Sequence, residues 1–413
     1  MKSRKTLQFS IAASLLAMSG VALAGQPLFV GQASSTRATG TLKSLAAKPD
    51  TAAVRVMRAD AKVVSAKTRE IALDLGHQRV TAVLDSAQST GDGGLVWTGM
   101  IKETRKAASP ASREVRFDAY NSATLVNRDG RITGNVRVKG KLYRIRPLAD
   151  GHHAVIEVDE SRMPKDHPVA FEKAPTIKMA GADGRMTTKQ ASSGTAQTIR
   201  VMVVATANAI NSYGGDMRAL VDLAVAESNQ GYKNSNVGIT LQLAGYYTTT
   251  YNSVGMSTDL SRFRGTSDGY MDGVHSTRNS VAADVMMLVV NDSSSCGLAS
   301  GIGSTASTAF AAVYWDCATG YYSFAHEIGH LQSARHDPAA DPTNTPYAYG
   351  HGYRAPNSAW RTIMAYNCSS GCPRINYWSN PNVTYGGQAM GTATRNDNQR
   401  VLVNTKATVA GFR

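Results

Sequence analysis

The chain has 413 residues and a formal net charge of +14 at pH 7. Such an excess of positive charge first suggests a nucleic-acid or membrane partner, but its distribution argues against both. Residues 195–413 contain 14 Lys and Arg against 13 Asp and Glu, so nearly all of the surplus belongs to the first 194 residues. We therefore expect no nucleic-acid partner, and the length allows two or three domains.

The first 24 residues have the pattern of a secretory signal peptide. Three basic residues precede the apolar stretch 11–23, and Ala22-Leu23-Ala24 is an A-x-A cleavage site. The apolar stretch is too short to span a membrane, and no later stretch approaches the required length. The sequence therefore predicts a protein without a membrane span that is secreted or periplasmic after cleavage.

Residues 25–194 form a second segment with its own pattern. Residues 26–50 are rich in Ala, Ser, Thr and Gly and are predicted to be loose. From about Thr68 the pattern changes to short alternating strands, with a predicted hairpin over residues 131–145. Residues 182–196 are again rich in small residues, which predicts an exposed, cleavable linker.

The remaining 219 residues, 195–413, are predicted to form one domain of the α/β (α+β) class, since helical and strand patterns alternate. Strands are predicted at residues 199–206, 239–247, 284–290 and 308–314, and helices at 216–232, 269–281, 320–333 and 398–412. We expect the strand at 308–314 to be an edge strand beside a cleft.

All the cysteines lie in this C-terminal half, at Cys296, Cys317, Cys368 and Cys372. An even number of cysteines in an exported protein favours disulfides. Of the three possible pairings, we favour Cys296–Cys317, which closes a loop before the helix at 320–333, and Cys368–Cys372. A cysteine metal site would need closely spaced Cys and His sets, which the sequence lacks.

A metal-binding pattern occupies the helix predicted at 320–333. His326, Glu327, His330 and His336 fit H-E-x-x-H-x-x-x-x-x-H. Positions i and i+4 of a helix share a face, so His326 and His330 can offer two imidazoles to one metal ion. Six further residues of helix would turn His336 away, so the helix must end and the chain must turn back. Glu327 lies beside the metal, where a carboxylate can take a proton from a bound water.

The pattern resembles that of metzincin metalloproteases, H-E-x-x-H-x-x-G-x-x-H with a later Met-turn. Met364 in Thr-Ile-Met-Ala-Tyr is the Met-turn candidate, and Asp337 resembles the reprolysin branch. The family glycine falls on Ser333, where a left-handed backbone costs a residue with a Cβ about 1–2 kcal/mol. The whole chain also resembles bacterial peptidyl-Asp metallopeptidases, which cut before aspartate. The resemblance implies a twisted, mostly parallel sheet with helices above the cleft, an irregular lower subdomain and a β-rich propeptide at 25–194.

The resemblance also implies roles for the residues of the site. The three motif histidines would hold one catalytic zinc ion with an open position for water, and Glu327 would be the general base. Met364 would form an apolar floor beneath the histidines. Tyr366 stands where astacins and serralysins carry a tyrosine near zinc, so its phenol would bind the metal at rest or donate to the oxyanion. Whether calcium is bound as well stays open.

The sequence carries fewer signals for substrate specificity and inhibition than for the metal site. Arg374 lies in the loop expected to form a wall of the S1′ pocket, where it would favour an acidic residue after the cut bond; the alternative is a solvated surface arginine.

Reprolysin propeptides often silence zinc with a cysteine, but here the similar stretch 178–181 has Ala180, and no cysteine precedes Cys296. If the propeptide inhibits, an acidic side chain such as Asp183, or steric blocking, must substitute.

The sequence therefore predicts a secreted zinc endopeptidase that acts on proteins or peptides, cuts before aspartate and is inhibited by its own propeptide. Three alternatives remain open. One is a catalytically idle binding module on the same frame, and another is a protease that prefers bulky apolar residues after the cut. The third is a basic binding protein with a structural zinc, although no fourth protein ligand is evident.

Overall fold

The computed structural model describes residues 25–32, 40–102, 112–168, 171, 174–177, 179 and 194–413. The predicted leader, most of the predicted linker and Asp183 lie outside these residues. The chain has the mixed α/β structure that the sequence predicts, with one large sheet in each half.

The N-terminal half contains a sheet of ten strands in the order β1-β4-β5-β6-β7-β8-β9-β10-β3-β2. In chain order the strands β1 to β10 are Gln26–Pro27, Phe29–Gln32, Thr51–Ala59, Glu70–Asp74, Arg79–Ser89, Leu95–Ile101, Ser122–Arg128, Arg131–Val138, Lys141–Pro147 and His153–Val158, with helix α1 at Gly40–Ala46. Neighbouring strands are antiparallel, except that β1 and β4 are parallel. The predicted hairpin is β8 and β9, which turn at Lys139 and Gly140, both with positive φ.

Regular structure in this half begins earlier than the sequence pattern suggests. Strands β1, β2 and β3 and helix α1 all precede Thr68, and the prediction of a loose stretch over residues 26–50 is wrong for β1, β2 and α1. The small residues of α1 carry two leucines, Leu42 and Leu45, which are buried in the core that continues into the C-terminal half. Contact with a distant part of the chain therefore orders a segment whose composition alone predicts little regular structure.

The C-terminal half contains a five-stranded sheet in the order β12-β11-β13-β15-β14. Its strands are Gln197–Thr206 (β11), Ile239–Thr249 (β12), Val285–Val290 (β13), Gly297–Ala299 (β14) and Phe310–Tyr314 (β15). The first four in sheet order are parallel, and β14 runs antiparallel to β15. The predicted strand at 308–314 is therefore not the edge strand. That place belongs to β14, whose three residues are too few to form a periodic pattern.

The helices of the C-terminal half are Ala207–Tyr213 (α2), Met217–Asn234 (α3), Met256–Arg264 (α4), Val274–Ser280 (α5), Ser323–Leu331 (α6) and Asn398–Val409 (α7). A short hairpin joins Asn380–Tyr385 (β16) to Gln388–Met390 (β17). The helix predicted at 269–281 is shorter, because it begins only at Val274. None of the helices in the described ranges has the length and apolar character needed to cross a membrane.

Helix α3 lies between the two sheets, and a buried polar network joins them beside α6. Glu227 on α3 accepts hydrogen bonds from Asn135 of β8 and from the backbone N–H of Gly320, each 2.7 Å long. Arg146 of β9 donates to the Thr319 hydroxyl at 3.1 Å. Buried polar groups are costly unless they are paired. The network therefore fixes the N-terminal sheet against the loop from which the motif helix begins.

Candidate active site

The helix that carries the motif ends where the ligand geometry requires. Helix α6 ends at Leu331, and Ser333 takes the left-handed conformation (φ 74°) that the glycine of the metzincin pattern would adopt. The Ala334 N–H then donates to the Gly329 carbonyl at 2.9 Å. This turn brings His336 back to the face of α6 that holds the other two motif histidines.

The three motif histidines meet through their Nε2 atoms. His336 Nε2 lies 3.2 Å from His326 Nε2 and 2.9 Å from His330 Nε2. The Nδ1 atoms of His326 and His330 lie 2.8 and 2.9 Å from the carbonyls of Ile363 and Ala334, respectively. A carbonyl only accepts, so each Nδ1 carries the proton and each Nε2 turns a lone pair towards its neighbours. Burial lowers the pKa of all three imidazoles, which favours the neutral form.

This donor set fits a zinc ion. Tetrahedral zinc with Zn–N bonds of about 2.1 Å places its ligand nitrogens roughly 3.4 Å apart, close to the separations seen here. A fourth histidine, His167, joins the group, and one ligand atom from each of the four lies within 4.8 Å of the others. All four side chains are buried. The group could therefore hold a metal ion.

His167 comes from the N-terminal half and was not anticipated in the sequence analysis. Its Nε2 lies 3.1 Å from each carboxylate oxygen of Glu327, and its Nδ1 lies 3.1 Å from the Tyr366 hydroxyl. The ring of Phe171 stacks on it, with centroids 4.3 Å apart. His167 follows Asp166 in a Pro-Lys-Asp-His-Pro run that forms no helix and only an isolated bridge, so no periodic pattern marks it in the sequence.

Glu327 lies within this group and against the edge strand. A Cβ placed at Gly297, the first residue of β14, would overlap its carboxylate, so the strand can approach only because that residue is glycine. Burial raises the pKa of Glu327, and the neighbouring His167 opposes that shift. The carboxylate thus borders both the histidine group and the backbone of β14.

The two sequence motifs pack on each other. Met364 is fully buried, and a Cβ at Gly329, between His326 and His330, would lie only 2.9 Å from its sulfur. The Tyr366 ring lies 4.2 Å from the His336 ring. Met364 and Tyr366 therefore both lie beside the motif histidines.

Asp337 fixes this arrangement from the other side. One of its carboxylate oxygens accepts from the Tyr366 backbone N–H at 3.0 Å and from Arg354 at 2.9 Å. The residue after the last motif histidine thus holds the segment that follows the Met-turn.

Beside the histidines, two buried arginines surround the carboxylate of Asp166, and we call this site the arginine pocket. Arg374 is fully buried, so the surface-arginine alternative is wrong. Its Nη2 lies 2.7 Å from one oxygen of Asp166, and Arg361 Nη1 lies 3.7 Å from the other. The Tyr321 ring lies 4.5 Å from the Arg374 guanidinium and 5.1 Å from that of Arg361. Neither Arg361 nor Asp166 was singled out in the sequence, because nothing local places them together.

Backbone groups hold both guanidinium groups in place. Arg374 donates to the Tyr321 and Ala365 carbonyls, and Arg361 donates to those of Ala365 and Cys372. Burial disfavours the charge of Asp166, but the two guanidinium groups outweigh it and keep the pKa of this carboxyl below its usual value. Two fixed guanidinium groups therefore surround a single carboxylate, that of Asp166.

The expected disulfides are both formed. Cys296–Cys317 joins the residue before β14 to the loop before α6, and Cys368–Cys372 closes the loop that leads to Arg374. Both bonds thus brace segments that border the histidine group or the arginine pocket.

Fold and site together are those of a metallopeptidase. Residues 195–379 match the family model Reprolysin_5, described as metallo-peptidase family M12. This matched range includes the motif, the Met-turn and both pocket arginines.

Relatives that align with nearly the whole chain narrow the assignment within the metallopeptidases. It is 58% identical over 392 residues to the peptidyl-Asp metalloendopeptidase of Stenotrophomonas maltophilia (strain R551-3), covering 94% of this chain and 93% of that protein. It is 56% identical over 400 residues to the protein of the same name from Xanthomonas campestris pv. campestris, covering 95% of each. A Pseudomonas fragi protein of that name is 54% identical over 189 residues, 45% of this chain and all of that one. The chain belongs to this family of metallopeptidases and is a metalloendopeptidase.

Proposed function

We propose that this protein is an exported zinc endopeptidase that cuts proteins on the N-terminal side of aspartate. The observation that carries the proposal is the arginine pocket beside the histidine group, which already holds a carboxylate, that of Asp166, at 2.7 Å from Arg374. The relatives' name, peptidyl-Asp metalloendopeptidase, agrees with it.

The residues of the histidine group have complementary roles. His326, His330 and His336 would hold the zinc ion, which when bound would supply Lewis acidity for the scissile carbonyl and a water molecule. Glu327 accepts the proton of the attacking water and returns it to the leaving amine, and its raised pKa suits this exchange. The Tyr366 hydroxyl, which faces the same space, donates to the carbonyl oxygen as negative charge develops.

The arginine pocket selects the residue after the cut bond. Arg374 and Arg361 are fixed by backbone carbonyls before any substrate arrives, so little reorganisation is needed to bind a carboxylate. A bulky apolar side chain would leave both charges buried and unpaired, which is strongly unfavourable. The pocket therefore argues against the alternative of an apolar preference. Glutamate places its carboxylate one methylene further on, and we expect it to be cut less well than aspartate.

The remaining parts of the chain follow from this assignment. Residues 1–24 are the export signal, residues 25–194 the propeptide, and residues 195–413 the catalytic domain. The propeptide inhibits the enzyme, since His167 and Asp166 fill the histidine group and the arginine pocket. Two disulfides suit a protein that folds outside the reducing cytosol.

Cleavage-site mapping tests this function. The processed protein is incubated with a denatured mixed proteome, with and without a metal chelator, and the new N-termini are sequenced. We expect chelator-sensitive cuts with aspartate in the first position after the cut. Chelator-sensitive cuts before bulky apolar residues would show that the arginine pocket does not select the residue after the cut. If protein that holds one zinc ion per chain makes no cuts, it is a catalytically idle binding module.

A further inference from the structure

Residues 164–168 lie along the edge strand of the C-terminal sheet. The Cys296 N–H donates to the Lys165 carbonyl at 2.8 Å, and the Gly297 N–H donates to the Asp166 carbonyl at 3.1 Å. Further on, Thr176 forms a parallel bridge with Ile302. Lys165 and Thr176 therefore pair in the parallel direction with residues on either side of β14.

Two adjacent side chains of this segment enter the two parts of the site. The Asp166 carboxylate lies between Arg374 and Arg361, and His167 lies in the histidine group. His167 Nε2 is 3.1 Å from both oxygens of Glu327, which is where a water molecule that gives its proton to Glu327 would lie. Its other ring nitrogen lies 3.1 Å from the Tyr366 hydroxyl, and such an outer hydrogen bond is usual for a metal-bound histidine.

The segment carries an aspartate in the proposed pocket, yet its backbone is not placed for hydrolysis. A cut before Asp166 would hydrolyse the peptide bond between Lys165 and Asp166. The carbonyl oxygen of that bond accepts a hydrogen bond from the Cys296 N–H, next to the edge strand. The space for the attacking water is filled by the His167 ring. Prolines at positions 164 and 168 restrict the backbone on both sides. The segment thus binds as the aspartate of a substrate does, without offering a bond that can be cut.

We propose that Asp166 and His167 form a two-residue latch that keeps the precursor inactive. Asp166 occupies the arginine pocket in place of the substrate aspartate, and His167 takes the fourth position on the zinc ion in place of water. The latch does the work that a cysteine does in other propeptides, and no cysteine precedes Cys296 in this chain. The inference rests on the proposed function, because it assigns the same pocket and the same metal.

While the segment is part of the chain, its high effective concentration excludes substrate; after cleavage of the linker, it competes only as a free peptide or domain. In reprolysins with a propeptide cysteine, activation removes a thiol from the zinc site. Here, activation would remove the Asp166 ion pair and the His167 imidazole.

The first experiment uses the full-length precursor, with the variants Asp166→Asn and His167→Gln. The matched controls are Asp129→Asn and His77→Gln, which change exposed residues of the N-terminal sheet half. Initial rates on a peptide with one internal aspartate are measured while gel electrophoresis shows that the precursor is still uncut. We expect at least tenfold higher rates for each latch variant and the wild-type rate for the controls. Latch variants as inactive as the wild-type precursor would overturn the proposal.

The second readout does not depend on activity. The precursor is loaded with Co²⁺ in place of zinc and its visible absorption spectrum is recorded. We expect His167→Gln to shift the ligand-field bands, because oxygen replaces a nitrogen ligand, and His77→Gln to leave them unchanged. A spectrum that is the same in His167→Gln and wild type would show that His167 does not bind the metal.

The third measurement separates the latch from the proposed function. A synthetic peptide of residues 162–171 is added to the processed enzyme, together with versions that carry Asn at 166 or Gln at 167. We expect competitive inhibition without hydrolysis, weakened at least tenfold by either change. If the enzyme cuts before aspartate but the peptide is cleaved or does not inhibit, the latch is wrong and the function stands. If the processed enzyme makes no cut before aspartate, the proposed function itself fails.

Discussion

The Asp166 carboxylate lies 2.7 Å from the Arg374 guanidinium, although 208 positions separate the two residues in the chain. Both groups are buried, and Arg361 lies on the other side of the same carboxylate. One ion pair therefore links the N-terminal half to the proposed specificity pocket of the protease.

The first prediction concerns the pocket. In the processed enzyme, Arg374→Gln should lower kcat/KM about 30-fold or more for a peptide with aspartate after the cut, because truncating one partner of a buried charge pair costs about 2–5 kcal/mol. A matched asparagine peptide should lose much less. Arg264→Gln, which changes an exposed arginine of α4, is the control. Equal losses on both peptides would mean that Arg374 supports the fold and does not select the substrate.

The second prediction concerns the proposed general base. Glu327→Gln should lower kcat about 100- to 10,000-fold, since the amide cannot accept the proton of the attacking water. The variant keeps the size of the side chain, so it should retain one zinc ion per chain by elemental analysis. Loss of zinc in this variant would mean that the carboxylate holds the metal site together, and the kinetic result would then not bear on catalysis.

The third prediction concerns the disulfides. Removal of Cys296–Cys317, which closes a loop of 21 residues, should lower the free energy of unfolding by about 3 kcal/mol. Removal of Cys368–Cys372, with a separation of 4, should cost only about 2 kcal/mol, since a short loop restricts the unfolded chain less. Paired Cys→Ser variants compared by urea unfolding provide the measurement. A larger loss for the second pair would contradict the loop-entropy argument.

The fourth prediction concerns the pH dependence of stability in the precursor. His153 is buried and accepts a hydrogen bond from the Ile132 N–H at 3.0 Å, and burial lowers its pKa to about 4. The unfolded chain binds a proton at this residue below its ordinary pKa of about 6.5, whereas the folded chain stays neutral. Stability should therefore fall as the pH drops from 6.5 to 4, by about 3 kcal/mol from this residue alone.

The test for His153 compares the pH dependence of urea unfolding between wild type and His153→Gln. The variant should lose part of the dependence between pH 6.5 and 4, while His77→Gln, at an exposed histidine, should keep all of it. Parallel curves for wild type and His153→Gln would show that another group controls the acid response.

Local sequence determined the parts of this protein that depend on neighbouring residues. The spacing of His326, Glu327 and His330 requires one helix face, and the position of His336 requires a turn, which Ser333 makes with a positive φ. The strand predicted at 284–290 from its apolar run corresponds to β13, which is buried throughout. The hairpin of β8 and β9 likewise follows from alternation and a turn that contains glycine.

Only the tertiary structure decided which distant residues meet. Strand β14 is too short for a pattern, and it becomes the edge strand through its pairing with β15. Asp166 and His167 have no helical or strand periodicity, and their place in the site depends on backbone pairing with Cys296 and Gly297. The physical reason is that periodicity indicates which face of a helix or strand is buried. The partners of an ion pair or a metal ion depend instead on which segments, distant in sequence, come into contact.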